Sequence, residues 1–257
     1  MCILLSLIYF LKYSPLFLKL AVLIDRKNLQ FAFIALGVYE VVKVLYFCGM
    51  QSNQEKLVAH ILDQLNLNSA AIPAETYNKL LSVQPQIVDI DDMITYVKSI
   101  GNKLDASDKT DEFIEKIEDE TNILIHKLKF ISATDRPKVL VVDQIEPLEI
   151  NHSAYLHEAI KIAGGVPVTT ESEADKIIVI GHGEQMFTQL PKLLNTPSIT
   201  SSKAIELDQV FMMTDKQFAQ IPGYNYLKEL ESLAEILQPK YFVYGHEGND
   251  WLQFQLN

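Results

Sequence analysis

Three short, continuous apolar runs constrain this chain more than any other feature. They are Val139-Leu140-Val141-Val142, Ile177-Ile178-Val179-Ile180 (preceded by Lys176) and Val210-Phe211-Met212-Met213. A run of four apolar residues without polar alternation is the pattern of a strand buried on both faces, as in a parallel sheet. Helical patterns lie between and after these runs. Residues 153–163 read as a helix stopped by Gly164-Gly165, and residues 185–194 as a helix with Pro191 inside it. In residues 226–237, Tyr226, Leu230, Leu233 and Leu237 share one face before Pro239 ends the pattern. Strands alternating with helices predict an α/β fold with a parallel sheet covered on both faces. Such sheets bind ligands outside the carboxyl ends of their strands. Here those ends are residues 143–147 and 181–184.

Upstream, residues 91–101 carry an apolar stripe at Met93, Ile94, Val97 and Ile100 that Gly101 can close. A longer helix is predicted over residues 110–129, capped by Thr110 or Asp108, with Phe113, Ile117, Thr121, Leu124 and Leu128 on its buried face. At about 30 Å it is long enough to join two lobes. Residues 1–50 are different in kind. Two strongly apolar stretches flank Asp25-Arg26-Lys27-Asn28, and each approaches the roughly 20 residues that cross a bilayer. A membrane hairpin would bury Glu40 and Lys43 at about 2.5–3.5 kcal/mol each. A signal, an anchor and an irregular core-packed segment all remain open for this region.

The acidic balance argues against nucleic acid as a partner: 22 Lys and Arg stand against 33 Asp and Glu, a net charge of −11. Neither of the two cysteines, Cys2 and Cys48, sits in a Cys-x-x-Cys pair, so no zinc knuckle or redox dithiol of that kind can be built from them. No glycine-rich phosphate loop or Gly-x-Ser-x-Gly elbow occurs at a strand-to-helix turn, and no nucleophile is paired with a histidine. The spacing of His152, His157, His182 and His246 gives no metal-ligand signature. The sequence therefore predicts a non-catalytic α/β protein with no cofactor.

Four stretches of the carboxyl half resemble the cobalamin-binding branch of the helical-backbone (class III) solute-binding proteins of ABC transporters. They are Arg136–Val142 with Ile145-Glu146-Pro147, Tyr155–Gly165 with its terminal Ala-Gly-Gly, Ser232–Pro239, and Tyr244-Gly245-His246-Glu247-Gly248-Asn249-Asp250-Trp251. The resemblance spans roughly residues 61–257. It departs from the family at Ile145, where a Trp is usual, and over residues 217–223; much of the first lobe is missing near His60 and Ile61.

The resemblance implies two lobes with parallel sheets joined by a long helix, the first lobe incomplete. Residues 1–50 would be the apolar segment, 51–106 the reduced first lobe, 107–130 the interlobe helix and 131–257 the carboxyl-terminal lobe. It implies a corrinoid or related metal chelate as ligand, with Gln144, Glu146, Tyr155, His182 and Phe218 as ligand-binding candidates. An ABC transporter membrane component would be the partner. The protein would be periplasmic or membrane-associated if residues 1–50 are a signal or anchor, and cytoplasmic otherwise. The alternative is an interaction module that keeps the fold without the ligand.

Overall fold

The computed structural model describes residues 53–180 and 185–255. The expectations for residues 1–50 and for His182 lie outside them. Residues Asn53–Asn257 group as one compact unit.

The amino-terminal part of this unit is helical. It comprises α1 (residues 53–64), α2 (Ala74–Leu81), α3 (Ile90–Lys103) and α4 (Ser107–Leu128). No strand precedes Lys138 among the described residues, so the parallel sheet expected for a first lobe is not found there. Asp89 caps α3, its side chain accepting the Asp92 N–H at 3.0 Å. Gly101 does not close this helix, which runs on to Lys103. Instead it marks a close crossing: a Cβ at Gly101 would stand 2.0 Å from Thr110 Oγ1. The long helix α4 starts three residues earlier than its sequence pattern suggests. Its cap position is Ala106 rather than Asp108 or Thr110, and no side chain caps it. The Thr110 hydroxyl is turned inward to donate to the Ala106 carbonyl at 2.8 Å. The buried face of α4 is Thr110, Ile114, Ile117, Thr121, Leu124 and Leu128, so Ile114 takes the place expected of Phe113, which is only half-buried. The 3.6-residue period admits either at the helix's second turn, and the tertiary packing decides it.

The remainder is a six-stranded sheet with helices on both faces. Its strands are β1 (Lys138–Gln144), β2 (Glu149–Ile150), β3 (Val166–Val168), β4 (Lys176–Ile180), β5 (Val210–Met213) and β6 (Trp251–Phe254). The three apolar runs are its centre: β1, β4 and β5 pair in parallel in that order. β3 also pairs β1 in parallel. Two antiparallel edges, β2 on β1 and β6 on β5, carry no continuous apolar run and were not apparent in the sequence.

The pleat sorts each run onto two cores. Val139, Val141, Ile178, Ile180, Phe211 and Met213 face α4, α5 (Ala154–Ile162) and α9 (Tyr226–Leu237). Leu140, Val142, Ile177, Val179, Val210 and Met212 face α6 (Gln185–Leu194), α7 (Pro197–Thr200) and α8 (Lys203–Glu206). Both faces are covered, which is why the runs are continuous rather than alternating.

This topology has a switch point. From β1 the chain passes through α5 to β3 on one side of β1, then returns to β4 on the other. The helices after β1 and β4 accordingly pack on opposite faces, Leu156 and Ile160 of α5 in one core and Leu190 and Leu193 of α6 in the other. Chains diverging in this way leave a crevice outside the carboxyl ends of β1 and β4.

Candidate functional site

A groove of about 300 Å³ occupies that crevice, lined by Asp143, Asn151, Ile180, Ala219 and Gln220. Asp143 is the last residue but one of β1 and Ile180 the last of β4, while Ala219 and Gln220 belong to the loop after β5. The placement follows from the apolar runs: β1 leaves the core at Asp143 and Gln144, its first polar residues after Val142, and the buried run of β4 extends to Ile180.

Asn151 organises one wall. Its Nδ2 donates to both Asp143 oxygens at 2.9 Å, its backbone N–H to the Val141 carbonyl at 2.9 Å, and its Oδ1 accepts the Ser153 N–H at 2.9 Å. Ser153 in turn is the cap of α5. One side chain thus ties the end of β1 to the start of the following helix and orients the Asp143 carboxylate. The opposite wall is set by Ala219, which holds a left-handed backbone with φ 54°. A non-glycine residue there is strained unless its surroundings fix it. Here the Ala219 N–H donates at 2.9 Å to Oε1 of Glu229, a carboxylate on α9 that is only 3% exposed. Burial pushes the Glu229 carboxyl up to about 7, against the hydrogen bonds from Tyr155 and Ala219 that favour its charged form.

Of the residues singled out from sequence, His182 lies outside the described residues and the other four fall in two places. Gln144, the last residue of β1, and Glu146, on the turn after it, are exposed, and that turn contains a cis Glu146–Pro147 bond. Gln144 Nε2 donates to the Glu146 carbonyl at 2.8 Å, and Glu146 pairs with Lys192 of α6. Tyr155 and Phe218 are in the core, 3% and 2% exposed, rather than on the groove surface. The Tyr155 hydroxyl donates to Glu229, so its route to the groove runs through that carboxylate and Ala219. Asn151, Ala219 and Glu229 were missed. Asn151 is a lone asparagine between an apolar run and the next helix, where that residue is ordinary, and Glu229 lies on a helix where glutamate is ordinary. Only the Ser-containing helix start after Asn151 offered a local signal.

His246 sits between Asp250 Oδ2 and Glu231 Oε2 at 2.8 and 2.9 Å, bracing the loop before β6. Among the described residues no cluster of three or more His, Cys, Asp or Glu side chains is arranged to hold a metal ion. Nor is any described helix long and apolar enough to cross a membrane.

No family model matches the chain, and no curated protein sequence matches it. Solved structures do. An ABC transporter substrate-binding protein from Listeria monocytogenes EGD-e aligns with a TM-score of 0.57 at 14% identity, covering 71% of this chain and 96% of that one. IsdE of S. aureus complexed with heme gives 0.52 at 15%, covering 63% and 71%. The periplasmic heme-binding protein RhuT from Roseiflexus sp. RS-1, in its apo form, gives 0.51 at 15%, covering 66% and 73%. The chain therefore has the periplasmic-binding-protein-like α/β fold of ABC transporter substrate-binding proteins. Of these three structures two are named for heme and none for a corrinoid, so the likeness supports the broader fold group and not its cobalamin-binding branch.

Proposed function

We propose that this protein is a non-catalytic solute-binding protein that takes a metal chelate at the groove between the ends of β1 and β4. The observation that carries the reading is the coincidence of this groove with the sheet's switch point, in a fold shared with transporter substrate-binding proteins. Asp143 and Asn151 would supply polar contacts, Ile180 the apolar one, and Gln144 and Glu146 the rim. His182 follows Ile180 by two residues, which puts it in the same strand-end segment by sequence. A tetrapyrrole is larger than this groove, so it would lie across the opening with one edge inside. The heme of two structural neighbours and the corrinoid of the sequence resemblance are both flat chelates of this kind.

The domain plan belongs to the same proposal: residues 51–106 as a reduced first lobe, 107–130 as the helix backing both parts, and 131–257 as the carboxyl-terminal lobe. A transporter membrane component would be the partner. Residues 1–50 as signal or anchor would place the protein outside the cytoplasm.

The burial of Tyr155 and Phe218 favours a second reading, an interaction module that keeps the fold without the ligand. Visible-absorbance titration of the purified chain with cobalamin and with hemin separates the two. A saturable spectral change with either, weakened by Asn151→Ala, supports solute binding. Unchanged spectra with both support the module.

A further inference from the structure

A second groove lies beside the first and shares Gln220 with it. It measures about 240 Å³ and is lined by Asn53, Lys56, Lys216, Gln217, Gln220 and Ile221. Its charge is opposite to that of the chain. The protein carries 11 more acids than bases, yet no carboxylate lines this groove, while two lysines do. The two come from elements 160 residues apart in sequence, α1 and the loop after β5. Neither has an ion-pair or hydrogen-bond partner among the described residues, in contrast to Lys192 and Lys228, which are held by Glu146 and by Asp215 and Asp250.

The neighbouring acids are accounted for elsewhere. Asp215, one residue before Lys216, accepts from Lys228 at 2.9 Å and from the Gln217 N–H at 2.8 Å. Glu55, one residue before Lys56, is on α1, where adjacent residues point about 100° apart. The side-chain amides of Asn53, Gln217 and Gln220 make no hydrogen bond among the described residues, so each has donors to offer. Ile221, 6% exposed, is the apolar residue of the lining. Two like charges lining one concavity favour an anion there, because it offsets their mutual repulsion.

We propose that this groove binds an oxyanion, the carboxylate or phosphate group of a small acidic solute. Lys56 and Lys216 supply charge-assisted hydrogen bonds, and the three amides supply neutral ones. The assignment goes beyond solute binding at the first groove and does not depend on it, since the lining, charge and donors are those of a separate concavity.

The test uses the whole chain at low ionic strength, with citrate as the carboxylate probe and pyrophosphate as the phosphate probe, by calorimetry and equilibrium dialysis. The parent should bind at least one probe saturably, and the probe preferred identifies which oxyanion chemistry the groove takes. Lys56→Gln and Lys216→Gln should each weaken that probe at least about tenfold, and the double variant should abolish binding. Both lysines are exposed and have no partner among the described residues, so thermal unfolding of the variants should match the parent, which separates lost binding from lost folding. Failure of both probes to bind the parent by either method, or binding by the double variant equal to the parent's, would overturn the proposal. Neither result bears on chelate binding at the first groove, which has only Gln220 in common with this one and is tested with different probes.

Discussion

The Tyr155 hydroxyl donates a 2.6 Å hydrogen bond to Glu229 Oε2, joining α5 to α9 beneath the strand ends. The other oxygen of the same carboxylate holds the Ala219 N–H. A tyrosine and a glutamate 74 residues apart thus fix the backbone that walls the groove. Burial and the Glu229 charge both push the Tyr155 hydroxyl well above its ordinary value, so it remains a donor at any working pH.

Tyr155→Phe removes that donor and leaves a buried carboxylate oxygen unpaired. The expected cost is about 1–3 kcal/mol of unfolding free energy, measured by urea denaturation. Unchanged stability would show that water replaces the hydroxyl.

Glu229 should make stability fall as pH rises. Its carboxyl is raised to about 7 from an ordinary 4.5, so between those values the folded state holds a proton that the unfolded chain has released. Unfolding then gives up protons, and stability declines as pH increases through this window, by roughly 2–4 kcal/mol in all. Glu229→Gln should flatten the decline and be more stable than the parent at pH 8. Parallel pH profiles for the two proteins would count against it.

Glu235 has the opposite sign. Burial raises its carboxyl, but hydrogen bonds from Gly245, Trp251, Tyr244 and His246 outweigh this and hold it below the ordinary value. Its contribution is present above the unfolded value and is lost as pH falls through the folded one. Glu235→Ala should release the loop before β6, seen as faster amide exchange at residues 244–246 and a red shift of Trp251 emission. Unaltered exchange there would mean that His246, braced by Asp250 and Glu231, holds the loop alone.

Gly101→Ala should destabilise the crossing of α3 and α4 by about 1–3 kcal/mol, because its methyl would meet Thr110 Oγ1 at 2.0 Å. Adding Thr110→Ala removes that oxygen and should recover part of the loss. Thermal melts of the single and double variants check both, and a single variant melting like the parent would rule out the close approach.

The sheet was legible because its information is local. The β1, β4 and β5 runs are apolar without interruption, and burial on two faces is the arrangement that requires this. Residues 226–237 were legible for a similar reason, since one stripe sufficed to set the helix and Pro239 to end it. Where two periodic solutions were equally good, as for Phe113 and Ile114 on α4, the sequence offered no decision. The short antiparallel edges β2 and β6 carry too few residues for a pattern.

The candidate site divides along the same line. The sequence by itself determined the α/β class and the ends of the central strands, and so directed attention to residues 143–147. Hydrophobic periodicity encodes which face of an element is buried, and strand ends follow from where it stops. Only the tertiary structure decided that Tyr155 lies under the groove rather than on it, that Glu229 fixes Ala219, and that Lys56 and Lys216 line one groove. Those relationships join residues between 10 and 160 positions apart. They depend on how helices cross and loops return over the sheet, and a pairing of that kind leaves no periodic trace in either segment.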